Sequence, residues 1–377
     1  MVRVLLALLF TVIFISGCQS SHQLYEVSDM PYKEEKDVLK GQVPVPFFST
    51  SQQIISLDMN GEAFNTVGEW FDDESILYIV DKDGGSDLYY YHLFSGEKKL
   101  FYHTDSPIVT MKANEDHSLF LIHSSSERNE AEFLVVNKEG EKVYDWKINS
   151  FDLQFVWNPN VLDEVFVTAF LEDWSFSTFV IKIGEETVTP YTVNEPFVQW
   201  FDKQSIAFMK WNQEEPVFSA PLYTFNFETN KESLLMEDVI SFTTFKDVLF
   251  TVSNDKVQTT KGIYRLYDTG TMNKKKEIMV PLLTTYSRWY VPYHDYVTNQ
   301  KKFYTLLPDE SASYDTYTGK FELIAFSLDA EESETILSNV DSLPINFSPN
   351  GYYCLYGYQF ENVIDVKEKE VKELIQL

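Results

Sequence analysis

Asp72-Asp73-Glu74-Ser75-Ile76-Leu77-Tyr78-Ile79-Val80-Asp81-Lys82-Asp83-Gly84-Gly85-Ser86-Asp87-Leu88-Tyr89-Tyr90-Tyr91 reads as an acidic turn, an apolar strand, a tight turn and an aromatic strand. Asp-Gly-Gly is hairpin chemistry, because glycine reaches positive φ without steric cost. Short runs of Val, Ile, Phe and Tyr broken by Asn, Asp and Gly continue to the C-terminus, the signature of an all-β chain.

Two markers repeat in register. A hairpin with an acidic or glycine turn recurs at Leu88–Tyr102, Glu132–Trp146, Ser177–Tyr191, Leu222–Met236, Ile263–Met279, Phe321–Leu337 and Asn362–Leu377. Ahead of each stands a large apolar residue entering a polar turn: Trp70, Met111, Trp157, Trp200, Phe245, Tyr293 and Phe347, at intervals of 41 to 54 residues. A unit of about 40–50 residues with four strands is a propeller blade. One blade alone cannot bury both faces, so blades pack radially. The expected fold is therefore an all-β, seven-bladed β-propeller over 47–377, six blades being the alternative count. The apolar alternation in Gln53–Met59 suits an outer strand that helps close the ring.

Asp72–Tyr91 resembles the TolB-type propeller repeat, as does Asn346-Phe347-Ser348-Pro349-Asn350-Gly351-Tyr352. With its N-terminal region, the chain is similar to the YqgU-like bacterial lipoprotein family. That resemblance implies a propeller behind a lipid anchor, described with six blades, and supplies no mechanism.

The N-terminus carries Arg3, an apolar run from Val4 to Ile15 and then Ser16-Gly17-Cys18. This is a signal-peptide layout, too short to span a bilayer, which takes about 20 apolar residues. Ile15-Ser16-Gly17-Cys18 resembles a lipobox and implies removal of 1–17 and acylation (palmitate among the acyl groups) of Cys18. The expected location is the extracytoplasmic face of the cell membrane. Residues 18–46 are polar, with Pro31, Pro44 and Pro46, and read as a tether reaching on the order of 30 Å, with a short helix around Tyr32–Leu39 as an option. With Cys18 acylated no intrachain disulfide forms, and the other cysteine, Cys354, reads as a small buried apolar residue.

The formal charge is −28, or −29 once Arg3 is removed, which disfavours nucleic acid and anionic headgroups as partners. The H-E-x-x-H, P-loop, G-x-G-x-x-G and G-x-S-x-G patterns are absent from the sequence. Asp81-Lys82-Asp83-Gly84-Gly85-Ser86-Asp87 begins like a calcium loop, yet Gly85 and His92 stand where oxygen ligands belong, so it reads as a turn. His22, His92, His103, His117, His123 and His294 show no ligand spacing, and His123-Ser124-Ser125-Ser126 reads as the start of a solvated connection. Asp72/Asp73, Glu185/Glu186, Glu214/Glu215 and Glu331/Glu332 read as turn residues. No catalytic residue, metal ligand or cofactor is expected.

Propellers bind at the mouth formed by their second-to-third-strand and blade-to-blade connections. Those connections include Glu172-Asp173-Trp174, Trp211-Asn212-Gln213, Tyr286-Ser287-Arg288-Trp289 and Pro308–Gly319. Tryptophan and arginine dominate binding hot spots, so Trp174, Trp211, Arg288 and Trp289 are the expected binding residues. The expected role is a binding module for an envelope protein or polymer. The competing reading is an envelope hydrolase or lyase with its site at the channel mouth. Cys18→Ser is expected to release the protein from membranes or leave it unprocessed; a processed Cys18→Ser protein still sedimenting with membranes overturns the anchor.

Overall fold

Each repeat folds into one antiparallel sheet in sequence order. The structure is a computed structural model describing residues 53–127, 130–212, 217–255, 257, 258, 260–286 and 288–376. The signal peptide, Cys18, the tether with its optional helix and the Glu214/Glu215 pair lie outside those residues. Among the described residues there are seven four-stranded sheets. In the first blade the strands are Phe64–Trp70, Ser75–Lys82, Gly85–His92 and Lys98–Thr104. The innermost strands of the others are Ile108–Ala113, Asp152–Trp157, Gln199–Trp200, Ser241–Thr244, His294–Val297 and Ile345–Phe347. All seven recurrent hairpins are the third and fourth strands of their blades.

The second strands are continuous apolar runs because both of their faces are covered. Glu164–Phe170 and Ser205–Met209 are buried at every position. Successive side chains leave a strand on opposite faces, so each second strand feeds two interfaces. Ile76, Tyr78 and Val80 pack toward the seventh blade with Leu355 and Val363. Leu77 and Ile79 pack toward the second blade with Phe120 and Ile122. The same alternation produces one apolar cluster at every seam of the ring. Outer strands such as Lys98–Thr104 have one covered face and are largely exposed.

The marker ahead of each hairpin keeps its register at Trp70, Trp157, Trp200 and Phe347. In the other three blades strand pairing puts Ala113, Thr244 and Tyr296 at that position, paired with Phe120, Leu249 and Phe303, rather than Met111, Phe245 and Tyr293. Small and aromatic residues both fit there, so size alone misplaces the marker by one to three residues. The Asp-Gly-Gly turn divides its labour. Gly84 takes φ +87°, whereas a Cβ on Gly85 would lie 2.0 Å from the Thr104 carbonyl. The carboxylate of Asp81 accepts from Asn65 and Ser86, that of Asp87 from Tyr89 and His103.

The ring closes without strand exchange, since the first and seventh blades are each drawn from one continuous segment. Leu57–Asp58 pairs in parallel with Ile375–Gln376, the closing strand expected in Gln53–Met59. Ile54, Leu57 and Met59 are buried there with Leu374 and Ile375. Trp70, fully buried, donates its indole N–H to the Asn346 carbonyl at 2.9 Å. Cys354 is buried at the neighbouring seam, and burial raises its thiol pKa. Trp70→Ala is expected to cost about 3–5 kcal/mol of unfolding free energy in urea titration. A loss below about 1 kcal/mol, the scale of a surface change, would remove this seam from the stability argument.

Candidate functional site

The seven innermost strands carry short polar side chains on their edges, and these surround an axial cavity of about 1370 Å³. Its wall is laced from blade to blade. Glu69 in the first blade accepts from the Asn346 side chain at 2.9 Å and faces the Lys112 ammonium at 3.7 Å. The Gln199 carboxamide accepts from Thr244 N–H at 2.7 Å and donates to the Phe242 carbonyl. His294 Nδ1 donates to the Pro292 carbonyl, so its Nε2 accepts from the Thr243 hydroxyl at 2.8 Å. Burial lowers the His294 pKa, consistent with that neutral ring. Trp157 and Trp200 donate their indole N–H groups to the Lys112 and Val156 carbonyls of the preceding blades.

Asp295 links the sixth and seventh blades. Its carboxylate accepts from Phe347 N–H at 2.9 Å and from Tyr296 N–H at 2.8 Å. Burial pushes its pKa from 3.8 up to about 6, against those two bonds and the Lys112 charge. Toward the face bearing the first-to-second-strand turns, Glu115 of the second blade meets Lys246 of the fifth at 3.9 Å. Those blades are not neighbours, so this ion pair crosses the cavity. Burial raises the Glu115 pKa and Lys246 opposes it.

The opposite face, built from second-to-third-strand and blade-to-blade connections, is aromatic. Among the described residues ten aromatic side chains are exposed, and nine lie on this face; Tyr352 is the exception. Trp174 and Phe197 pack on Phe170, and Phe151 packs on Trp174, with ring centroids 5.8–6.4 Å apart. Trp211 and Phe218 follow on the fourth blade, then Tyr286, Tyr293, Tyr314 and Tyr358 on the connections beyond. Phe197 and Trp211 also line the cavity, so rim and channel are continuous.

Trp174 is 66% exposed and Trp211 45%, on corresponding connections of the third and fourth blades. Arg288 is exposed on the same face. Trp289 differs: half-buried in a small accessory sheet, it packs against the fifth–sixth seam, and its indole N–H is buried without a hydrogen-bond partner. His123 is corrected. It lies inside the strand Leu119–Glu127, not in a solvated connection, and is buried. Its place directly after Phe120-Leu121-Ile122 extends the apolar run by one residue. Sequence reading missed Phe151, Phe197 and Phe218, and named the connection of Tyr286 without choosing that residue; the signal available was that they sit on connections of the same kind as Trp174 and Trp211.

Residues 92–357 match the YqgU-like 6-bladed beta propeller domain family. That segment runs from the end of the first blade's third strand to just past the second strand of the seventh, so it omits the first three strands of the one and the last two of the other. The chain is 27% identical over 361 residues to the uncharacterized lipoprotein YqgU of Bacillus subtilis (strain 168), covering 96% of this chain and 93% of that one. Its fold is similar to that of the uncharacterized protein lmo1340 from Listeria monocytogenes EGD-e, with TM-score 0.78, 19% identity, and coverage of 86% and 98%. An oligogalacturonate lyase from Vibrio parahaemolyticus has the fold more distantly, with TM-score 0.55, 13% identity, and coverage of 78% and 87%.

The raised pKa of Asp295 sets a pH dependence. A carboxyl whose folded pKa exceeds its unfolded value of 3.8 opposes folding once it must ionise. The penalty is absent below pH 3.8, grows toward pH 6 and is complete above it, at on the order of 3 kcal/mol. Asp295→Asn is expected to gain stability relative to the parent as pH rises from 4 to 7 in urea titration; a difference that is flat with pH overturns the assignment.

Proposed function

The chain belongs to the YqgU-like β-propeller family, and from that premise we propose that it is a lipoprotein held by Cys18 on the outer face of the cell membrane, whose aromatic face binds an envelope protein or polymer. The observation that carries this reading is the one-sided distribution of exposed aromatic side chains around the mouth of the 1370 Å³ channel. Soluble proteins rarely leave apolar surface gathered in this way unless something covers it. Rigid aromatics lose little conformational entropy on binding, which suits them to contact surfaces. The relative's name as a lipoprotein supports the anchor, as does the apolar run ending at Cys18.

Backbone strain at the rim points the same way. Trp174 stands at φ +64°, a left-handed conformation costly for a bulky side chain. Its loop is fixed by Leu171 N–H to Ser175 O, Trp174 N–H to Leu171 O, and Asp173 capping both the Ser175 N–H and hydroxyl. Glycine would fit that backbone better, yet the position holds an exposed indole. By contrast, Asp295, Glu69 and Gln199 on the channel wall are committed to bonds that hold blades together, which favours binding over catalysis.

Trp174→Gly separates the two contributions. It is expected to leave the melting temperature unchanged or raised, because strain is removed, and to weaken capture of the envelope partner by crosslinking in intact cells. Phe197→Ala and Trp211→Ala are expected to weaken capture in the same way, while Tyr352→Ala on the opposite face does not. A large loss of stability with unchanged capture would place these rings in the structural core and end the proposal.

A further inference from the structure

The rim aromatics are accompanied by carboxylates in the same connections. Asp173 precedes Trp174, Glu195 lies two residues before Phe197, and Asp315 follows Tyr314. Asp173 is kept ionised, since the Ser175 hydroxyl and N–H hold its carboxyl below the usual range. Two of the basic side chains on this face are already engaged, Lys210 with Glu232 and Lys320 with Asp341.

The protein shows what such a pairing accommodates, because its own lysines fill it in the first and fourth blades. Lys98 lies 4.7 Å above the Tyr89 ring and 2.9 Å from Glu62. Lys210 lies 4.4 Å above the Tyr223 ring and pairs with Glu232. A carboxylate beside an aromatic face holds a cation twice, by charge and by the ring quadrupole.

Resting on the reading of the aromatic face as the binding face, we infer that it docks a basic segment of another polypeptide, whose lysine and arginine groups seat between rim aromatics and their adjacent carboxylates. Charge selects this occupant. The chain carries −28 and this face bears Asp173, Glu195 and Asp315, so an anionic polymer or anionic lipid surface is disfavoured there. A neutral glycan would use the rings and donate its hydroxyls to the carboxylates, but would leave their charge uncompensated. A second copy of this chain would bring acid against acid.

The test titrates the mature chain with oligoarginine and oligolysine peptides at physiological ionic strength, following tryptophan emission and calorimetric heat. Chitohexaose, oligoglutamate and phosphatidylglycerol vesicles serve as the other ligands, and sedimentation reports self-association. Both cationic peptides are expected to bind, with oligoarginine tighter because guanidinium stacks on rings. Trp174→Ala and Asp173→Asn are each expected to weaken that binding about three- to ten-fold. Tyr352→Ala and Glu185→Gln, on the opposite face, are expected to leave it unchanged. Equal binding by the Trp174→Ala protein would mean diffuse attraction to an acidic surface and overturn the inference. So would binding of chitohexaose, vesicles or a second copy in preference to the peptides. If Trp174→Gly and Phe197→Ala abolish partner capture in cells while neither cationic peptide binds, the binding face stands and its basic partner does not.

Discussion

Everything in this molecule depends on seven seams between neighbouring sheets, each needing an apolar cluster and at least one polar contact near the axis. The polar contacts differ in chemistry while serving one purpose. Trp70, Trp157 and Trp200 reach back to a carbonyl of the preceding blade. Glu69 faces Lys112, Gln199 ties the fourth blade to the fifth, Thr243 the fifth to the sixth, and Asp295 the sixth to the seventh. Innermost strands run close together around a hollow axis, where apolar packing is thinnest and backbone groups lack sheet partners on one side. Short polar side chains satisfy those groups where bulky apolar ones cannot fit.

That constraint shapes the functional face. With wall residues spent on holding blades, the proposed recognition is assigned to the connections at the mouth, some of which, like Ser311 bonding to the Thr260 carbonyl, also tie neighbouring blades. The ion pair between Glu115 and Lys246 narrows the channel toward the other face, while Phe197 and Trp211 open it toward the aromatic rim. The two faces of the ring are therefore unequal in surface chemistry, although both carry abundant acid.

The blade count shows how sequence and structure inform one another. The matched family is described as six-bladed, whereas this chain forms seven four-stranded sheets among its described residues. The terminal blades meet at the closing seam, where Leu57–Asp58 and Ile375–Gln376 pair. Residues 92–357 take in one strand of the first blade and two of the seventh. A comparison confined to that segment has the least information where the ring is counted and closed.

The sequence by itself determined the all-β class and the hairpin in every blade, and favoured seven blades over six, because strand alternation and turn chemistry are local and repeat along the chain. It also placed Trp174 and Trp211 on one face, since successive connections alternate between the two ends of a meandering sheet. Only the tertiary structure decided which aromatics reach solvent. Trp211 and Trp289 read alike as connection residues, yet Trp211 is 45% exposed while Trp289 is half-buried against a seam. The inter-blade bonds of Asp295, Gln199 and Thr243 were equally hidden, because their partners lie 43 to 52 residues away in the next repeat. Burial and polar partnership are set by the neighbouring blade, and no window of sequence the length of one blade contains both sides of a seam.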